Sequence, residues 1–187
     1  MRMSGWGCRA DRVVYPLLLA AAGLASLWRT STWQAEEWLG WSLAGVGVWT
    51  LLEYVLHRWV LHRVPPFKRL HEAHHAHPGE LIGTPTWISA PLFVLAWSIL
   101  AHELSRPIAG GAAVGLMLGY LAYSLLHDAA HHRRAAPGSR LARVKQRHAR
   151  HHRPGANGDF GVSTGLWDRV FRTATAIRGA DDRRAGR

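Results

Sequence analysis

Apolar residues in this chain fall into four long blocks, with polar and basic stretches between them. The blocks run from Val13 to Trp28, Trp38 to Leu56, Pro85 to Ala101 and Ile108 to Leu126. Their cores contain no Lys or Arg, and the one acid among them is Glu53, near the end of the second. A helix rises about 1.5 Å per residue, so such blocks reach roughly 24 to 29 Å, close to the hydrocarbon thickness of a bilayer. The pattern predicts an all-α integral membrane protein with about four transmembrane helices, the first and third only just long enough.

Charge changes the picture from length to topology. Arg2, Arg9 and Arg12 precede the first block, Arg58, Arg63, Lys68 and Arg69 follow the second, and a dense basic run follows the fourth. If every block spans, all 23 basic residues except Arg29 and Arg106 lie on one side. That asymmetry is the positive-inside pattern, with both termini cytoplasmic. A cleaved signal peptide is the alternative reading of the first block, because a basic start and the small residues Ala20 to Ala22 fit one loosely. Cleavage would leave an odd number of crossings and put one basic block outside, so an uncleaved first helix is preferred. The expected organisation is a cytoplasmic segment over 1–12, a membrane-embedded domain over 13–172 and a basic, disordered tail over 173–187.

The net charge of +11 and the run Arg140 to Arg153 raise the question of nucleic acid. In a membrane protein the fitting partners are anionic lipid headgroups, which attract Lys and Arg near the surface, and an acidic protein; no nucleic acid is expected. A single cysteine, Cys8, excludes both an internal disulfide and a cysteine metal cage. Any metal site must then use histidine, carboxylate or water.

Histidine supplies the candidate chemistry. Of 13 histidines, all but His77 and His102 sit in four clusters: His57-x-x-x-x-His62, His71-x-x-His74-His75, His127-x-x-x-His131-His132 and His148-x-x-His151-His152. On the predicted topology every cluster is cytoplasmic, and His102 alone lies on the opposite face. Offsets of three and four place rings on one helical face, where neutral imidazole nitrogens can meet one ion. His57 and His62 are five apart and diverge by roughly 140° on a regular helix, so either they serve different metals or the helix tightens or bulges there. The doublets point about 100° apart and suit two ions of a pair. About ten imidazoles are too many for one ion, which implies a two-metal centre. His77 and His132 are the weakest candidates. Glu53, Glu72, Asp128, Asp159 and Asp168 are candidate acceptors for ring N–H groups.

The ordered clusters, with the first pair embedded in Glu53-Tyr54-Val55-Leu56-His57-Arg58-Trp59-Val60-Leu61-His62, resemble the fatty acid hydroxylase superfamily, which includes sterol desaturases and carotenoid ring hydroxylases. The stretch from Phe160 to Phe171 (Phe-Gly-Val-Ser-Thr-Gly-Leu-Trp-Asp-Arg-Val-Phe) is similar to the tail that follows the last cluster in its fatty acid and sphingolipid 2-hydroxylases. The resemblance covers about Gly40 to Phe171. It implies a diiron oxygenase whose metals lie in a cytosolic histidine-rich cap. The implied ligands are His57, His62, His71, His74, His75, His127, His131, His148, His151 and His152.

It further implies O2 as co-substrate, and electrons from NAD(P)H through a separate acidic carrier, a ferredoxin or b-type cytochrome, since no cytochrome domain precedes the first block. Zinc can replace iron during purification. The expected reaction is hydroxylation of a membrane lipid, because an unactivated alkyl C–H bond needs a redox metal and dioxygen rather than side-chain acid or base. Desaturation or carotenoid ring hydroxylation on the same scaffold is the nearest alternative. A membrane metal-binding or transport protein is the alternative of another class, disfavoured because transport calls for ionisable ligands within the spans.

Overall fold

The computed structural model describes residues 5–80, 84 and 86–175, and these are helical with no strand among them. The order is α1 (Gly5–Leu27), α2 (Thr32–Val55), a π-helical turn (Leu56–Leu61), α3 (Phe67–Ala76), α4 (Thr86–Glu103), α5 (Arg106–His132), α6 (Arg140–His151) and α7 (Leu166–Val170). The four apolar blocks correspond to α1, α2, α4 and α5. Each helix is longer than its block because the flanking polar turns continue the hydrogen-bond ladder; α1 begins eight residues before Val13 and α5 runs on through His132.

Among the described residues, two helical stretches, Thr32–Leu61 (30 residues) and Arg106–His132 (27 residues), are long and apolar enough to cross a bilayer. Around them the surface is apolar. Val13, Leu17 and Leu24 on α1, Leu43 and Val48 on α2, and Leu92, Val94, Leu95 and Ile99 on α4 are all exposed. An apolar girdle of this extent is the surface of a membrane protein.

The axis of the bundle is the pair α2 and α5, which run parallel. Trp38 meets Gly111, Ser42 and Gly45 meet Gly115, and Trp49 meets Gly119, so both chains advance together. Glycine is required at the crossing, since a Cβ on Gly115 would lie 2.1 Å from the Ser42 carbonyl oxygen. Small residues permit this close approach where no hydrophobic driving force exists between helices. Continued upward, the same register brings His57 level with His127.

Helix α1 runs antiparallel to α5, with Ser26 against Gly110 at one end and Arg12 bonded to Asp128 at the other. An aromatic core of Tyr15, Trp49 and Tyr120, packed by Phe93 and Tyr123, fills the space beneath the histidines. Tyr15 donates to Ser89 Oγ on α4 (2.6 Å), so the buried hydroxyl is not left unpaired.

Thr173 to Thr175 were assigned by sequence to a disordered tail, yet they are held. The Thr173 carbonyl accepts from Asp159 N (2.9 Å), and Arg150 Nε donates to Thr175 Oγ1 (2.9 Å). The remainder of that tail lies outside the described residues.

Candidate metal centre

Four elements converge above the aromatic core, and each brings histidines for a local reason. The π turn answers the five-residue spacing. Its i→i+5 hydrogen bonds stack residues five apart, so His57 and His62 turn to the same side. Helix α5 presents His127 and His131 at an offset of four. Helix α3 presents His71 and His75, and α6 presents His148 and His152, again four apart. Helix α6 is started by Ser139, whose hydroxyl accepts from Ala142 N (3.1 Å).

The ten histidines form two groups of five. His57, His62, His71, His75 and His151 make one, and His74, His127, His131, His148 and His152 the other, with one ring nitrogen per residue and all within 4.8 Å of each other in each group. Two of the three doublets are divided between them: His74 joins one group and His75 the other, as do His152 and His151. The groups adjoin, the His75 ring lying flat on that of His152 at 4.1 Å. His132 and His77 are exposed and belong to neither group, while His102 pairs with Glu103 (3.0 Å) at the far end of α4.

Proton bookkeeping shows what the groups are for. His71 Nε2 lies 3.0 Å from His57 Nε2, 3.1 Å from His62 Nε2 and 3.0 Å from His75 Nε2. One nitrogen carries at most one hydrogen, so it cannot donate to three neighbours. His57 gives its Nδ1–H to the Phe160 carbonyl (2.5 Å), and His151 gives its Nδ1–H to the Gly158 carbonyl (2.9 Å). Both therefore point bare Nε2 lone pairs inward. In the second group His152 Nε2 is buried with no hydrogen-bond partner.

Lone pairs converging without protons between them repel unless a cation sits among them. Metal–imidazole bonds of about 2.1 Å at right angles put neighbouring nitrogens about 3.0 Å apart. The spacings of 2.7 to 3.2 Å found here match that edge. The donor set, wholly imidazole, suits iron, zinc or copper.

Burial keeps these rings neutral and ready to bind. It pushes His62 and His151 down to about 4, His74 to about 3 and His152 to about 2, from an ordinary value of 6.5. Neighbouring imidazoles reinforce the effect. Above pH 6.5 folded and unfolded rings are alike neutral; below it the unfolded chain takes up protons that the folded one refuses. The metal-free protein is thus expected to lose thermal stability steadily as pH falls from 6.5 toward 4, measured by its unfolding midpoint in detergent. A midpoint unchanged across that window would contradict burial of neutral rings.

None of the acids named from sequence accepts a histidine proton. Glu53 takes Val162 N (2.5 Å) and Ser163 N (2.9 Å), and Asp168 takes Phe160 N (2.9 Å), Gly161 N (2.8 Å) and Thr173 Oγ1 (2.7 Å). Asp159 pairs with Arg150, Asp128 with Arg12, and Glu72 with Lys68. The acceptors are instead the backbone carbonyls of an extended strap, Gly158 to Val162. Glu53 and Asp168 hold this strap from its N–H side, and Arg147 holds it through the Gly161 and Val162 carbonyls (2.7 and 2.5 Å). A carboxylate turns histidines indirectly here, by fixing the peptide that fixes the ring.

Asp168→Asn keeps the shape but replaces one accepting oxygen by a donor that faces an N–H. A loss of about 3 kcal/mol in unfolding free energy is expected, with weaker metal retention, checked by denaturant titration and metal analysis. The sequence marked this stretch without a role for it. Tyr123, which stacks on the His127 ring at 5.7 Å and 6°, was also missed, although it lies one turn before His127.

A family model described as fatty acid hydroxylase matches residues 42–173, which include all ten histidines and the strap. This chain belongs to the fatty acid hydroxylase family. Among curated relatives, the dihydroceramide fatty acyl 2-hydroxylase FAH2 of Arabidopsis thaliana is 34% identical over 147 residues, covering 73% of this chain and 61% of that protein. The fatty acid 2-hydroxylase of Homo sapiens is 33% identical over 147 residues, covering 71% of this chain and 39% of that one. This family member thus spans less than two thirds of the length of those relatives.

A solved structure titled "Full length scs7p (only hydroxylase domain visible)" superposes with a TM-score of 0.79 at 24% identity, over 92% of this chain and 68% of that one. It shares the fold of this hydroxylase-family chain. The resemblance inferred from the clusters and the Phe160 to Phe171 tail is borne out, as is the all-helical fold class.

Proposed function

We propose that this protein is a membrane-bound, O2-dependent hydroxylase of a lipid acyl chain, with two iron ions held in its two five-histidine groups. The observation that carries the reading is the convergence of unprotonated Nε2 atoms, about 3 Å apart, directly above an apolar, aromatic bundle core. Relatives named as fatty acid 2-hydroxylases support the reaction class. His57, His62, His71, His75 and His151 would hold one ion, and His74, His127, His131, His148 and His152 the other. When bound, the irons supply dioxygen activation and the oxidising power that an alkyl C–H bond requires.

The chain's own residues do the rest. The Gly158 and Phe160 carbonyls hold His151 and His57 in the Nδ1–H form. Tyr123 fixes the plane of His127. Trp49, Tyr120 and Tyr123 keep water from the membrane side of the cluster, which suits a substrate arriving from the lipid. On the other side a cavity of about 430 Å³, lined by His131, His148, His152, Lys145, Gln146 and Pro78, opens next to the second group.

Four crossings, with both termini and the cap on the cytoplasmic side, fit the distribution of Lys and Arg. The basic cap fits an acidic electron carrier that draws on NAD(P)H. Mass spectrometry of lipids from cells with and without the protein tests the reading. A new lipid heavier by one oxygen is the expected result, and loss of two hydrogens would assign desaturation instead. No change in any lipid, with metal bound, would leave a metal-binding protein.

A further inference from the structure

Helix α7 sits where a cytosolic element is not expected. Trp167 Nε1 donates to Thr50 Oγ1 (3.0 Å), Phe171 stacks on Tyr54 at 5.2 Å and 12°, and Thr173 Oγ1 bonds the Tyr54 hydroxyl (3.0 Å). Thr50 lies seven residues before His57, about 10 Å further into α2. It falls within the apolar stretch Thr32–Leu61. The stripe of α2 whose upper end, Thr50 and Tyr54, lies against α7 runs Leu39, Leu43, Gly47, Thr50, Tyr54, at helical offsets of three and four. Its first three members are exposed, and Leu43 is 66% exposed, so the stripe faces outward below α7.

The two faces of α7 differ. Trp167 and Phe171 turn toward α2. Leu166 and Val170, also four apart, turn away and are 49% and 56% exposed. Arg169 and Arg172 are exposed beside them. Arg172 adopts a left-handed conformation (φ 56°), which returns the chain to Tyr54.

We infer that α7 is seated in the cytoplasmic leaflet, with Leu166 and Val170 among acyl chains and Arg169 and Arg172 at anionic headgroups, continuing the lipid-facing stripe of α2. Lipid is the occupant because the exposed apolar face prolongs that stripe and is fringed by the cations Arg169 and Arg172. The seat bears on the metal centre. Asp168, in the middle of α7, holds Phe160 N and Gly161 N of the strap that orients His57 and His151. Pressure from the leaflet on α7 therefore reaches two candidate ligands through one carboxylate.

The inference rests on reading α2 as a membrane span, and the test separates the two. In the metal-loaded protein, with the sole cysteine removed by Cys8→Ser, an NBD label is placed singly through Val170→Cys, Val48→Cys and Asn157→Cys. Each variant is reconstituted in vesicles of phosphatidylcholine and phosphatidylglycerol. Quenching by nitroxide-bearing lipid is compared with quenching by aqueous iodide.

The label at Val170 should be quenched by the lipid probe, as at Val48, and several-fold less by iodide than at exposed Asn157. Iodide quenching at Val170 equal to that at Asn157 overturns the inference. Shielding from both quenchers also overturns it, in favour of a second copy of the chain covering α7. Iodide access at Val48 as well would instead overturn the membrane reading of α2.

Discussion

His151→Ala is expected to abolish the oxygenated lipid product of the proposed reaction and to lower metal content from the proposed two equivalents toward one. His151 is 1% exposed, its Nδ1–H is committed to Gly158, and its Nε2 stands 3.1 Å from that of His75 and 3.2 Å from that of His62. Alanine would leave four lone pairs where the proposed site offers five, and it frees the Gly158 carbonyl. Partners that orient a ligand typically contribute about 10- to 100-fold in affinity, and removal of the ligand itself exceeds that. His102→Ala is the control. That ring is 84% exposed at the other end of the bundle, and its loss should change neither metal nor product. Retention of full activity by the His151 variant would remove the first group from the chemistry.

Gly115→Val should be the most damaging change outside the histidines. A Cβ there meets the Ser42 carbonyl oxygen at 2.1 Å and Gly45 Cα at 3.0 Å, and neither is the flexible end of a side chain. Relief requires α2 and α5 to part. A cost of about 3 kcal/mol or more follows from overpacking of this kind. The functional loss should be larger than the stability loss implies, since each of the two helices delivers one histidine pair and parting them pulls the groups asymmetrically. Gly47→Ala, on the open face of α2 with nothing within 4 Å of its Cβ, should be nearly silent. Thermal midpoints and metal content of the two variants in detergent check the contrast. Equal midpoints would mean that α2 and α5 part at this crossing at little cost.

The helical blocks and the histidines are legible in the sequence because both are written in residue type and period. Apolar runs free of Lys and Arg mark α1, α2, α4 and α5, and the offsets of three and four mark shared faces on α3, α5 and α6. The spacing between His57 and His62 states its own problem, and a π turn is one of the two solutions it allows. The strap is different. Its contribution is made by the carbonyls of Gly158 and Phe160, and every residue has a carbonyl. No side-chain pattern announces which peptide will face a ring. Glu53 and Asp168 are visible as acids, but they take backbone N–H groups of the strap, brought in from more than a hundred residues away in the case of Glu53, so spacing along the chain carries no hint of them.

The divided doublets have an architectural consequence. Because His74 and His75 leave neighbouring positions of one rigid rod, and His151 and His152 do so where another ends, the gauge between the two histidine groups is cut by the pitch of α3 and α6 rather than by any connecting loop. Insertions can lengthen the links around this frame without moving one group relative to the other, whereas a single residue gained or lost inside either rod would send its histidines to the wrong berth.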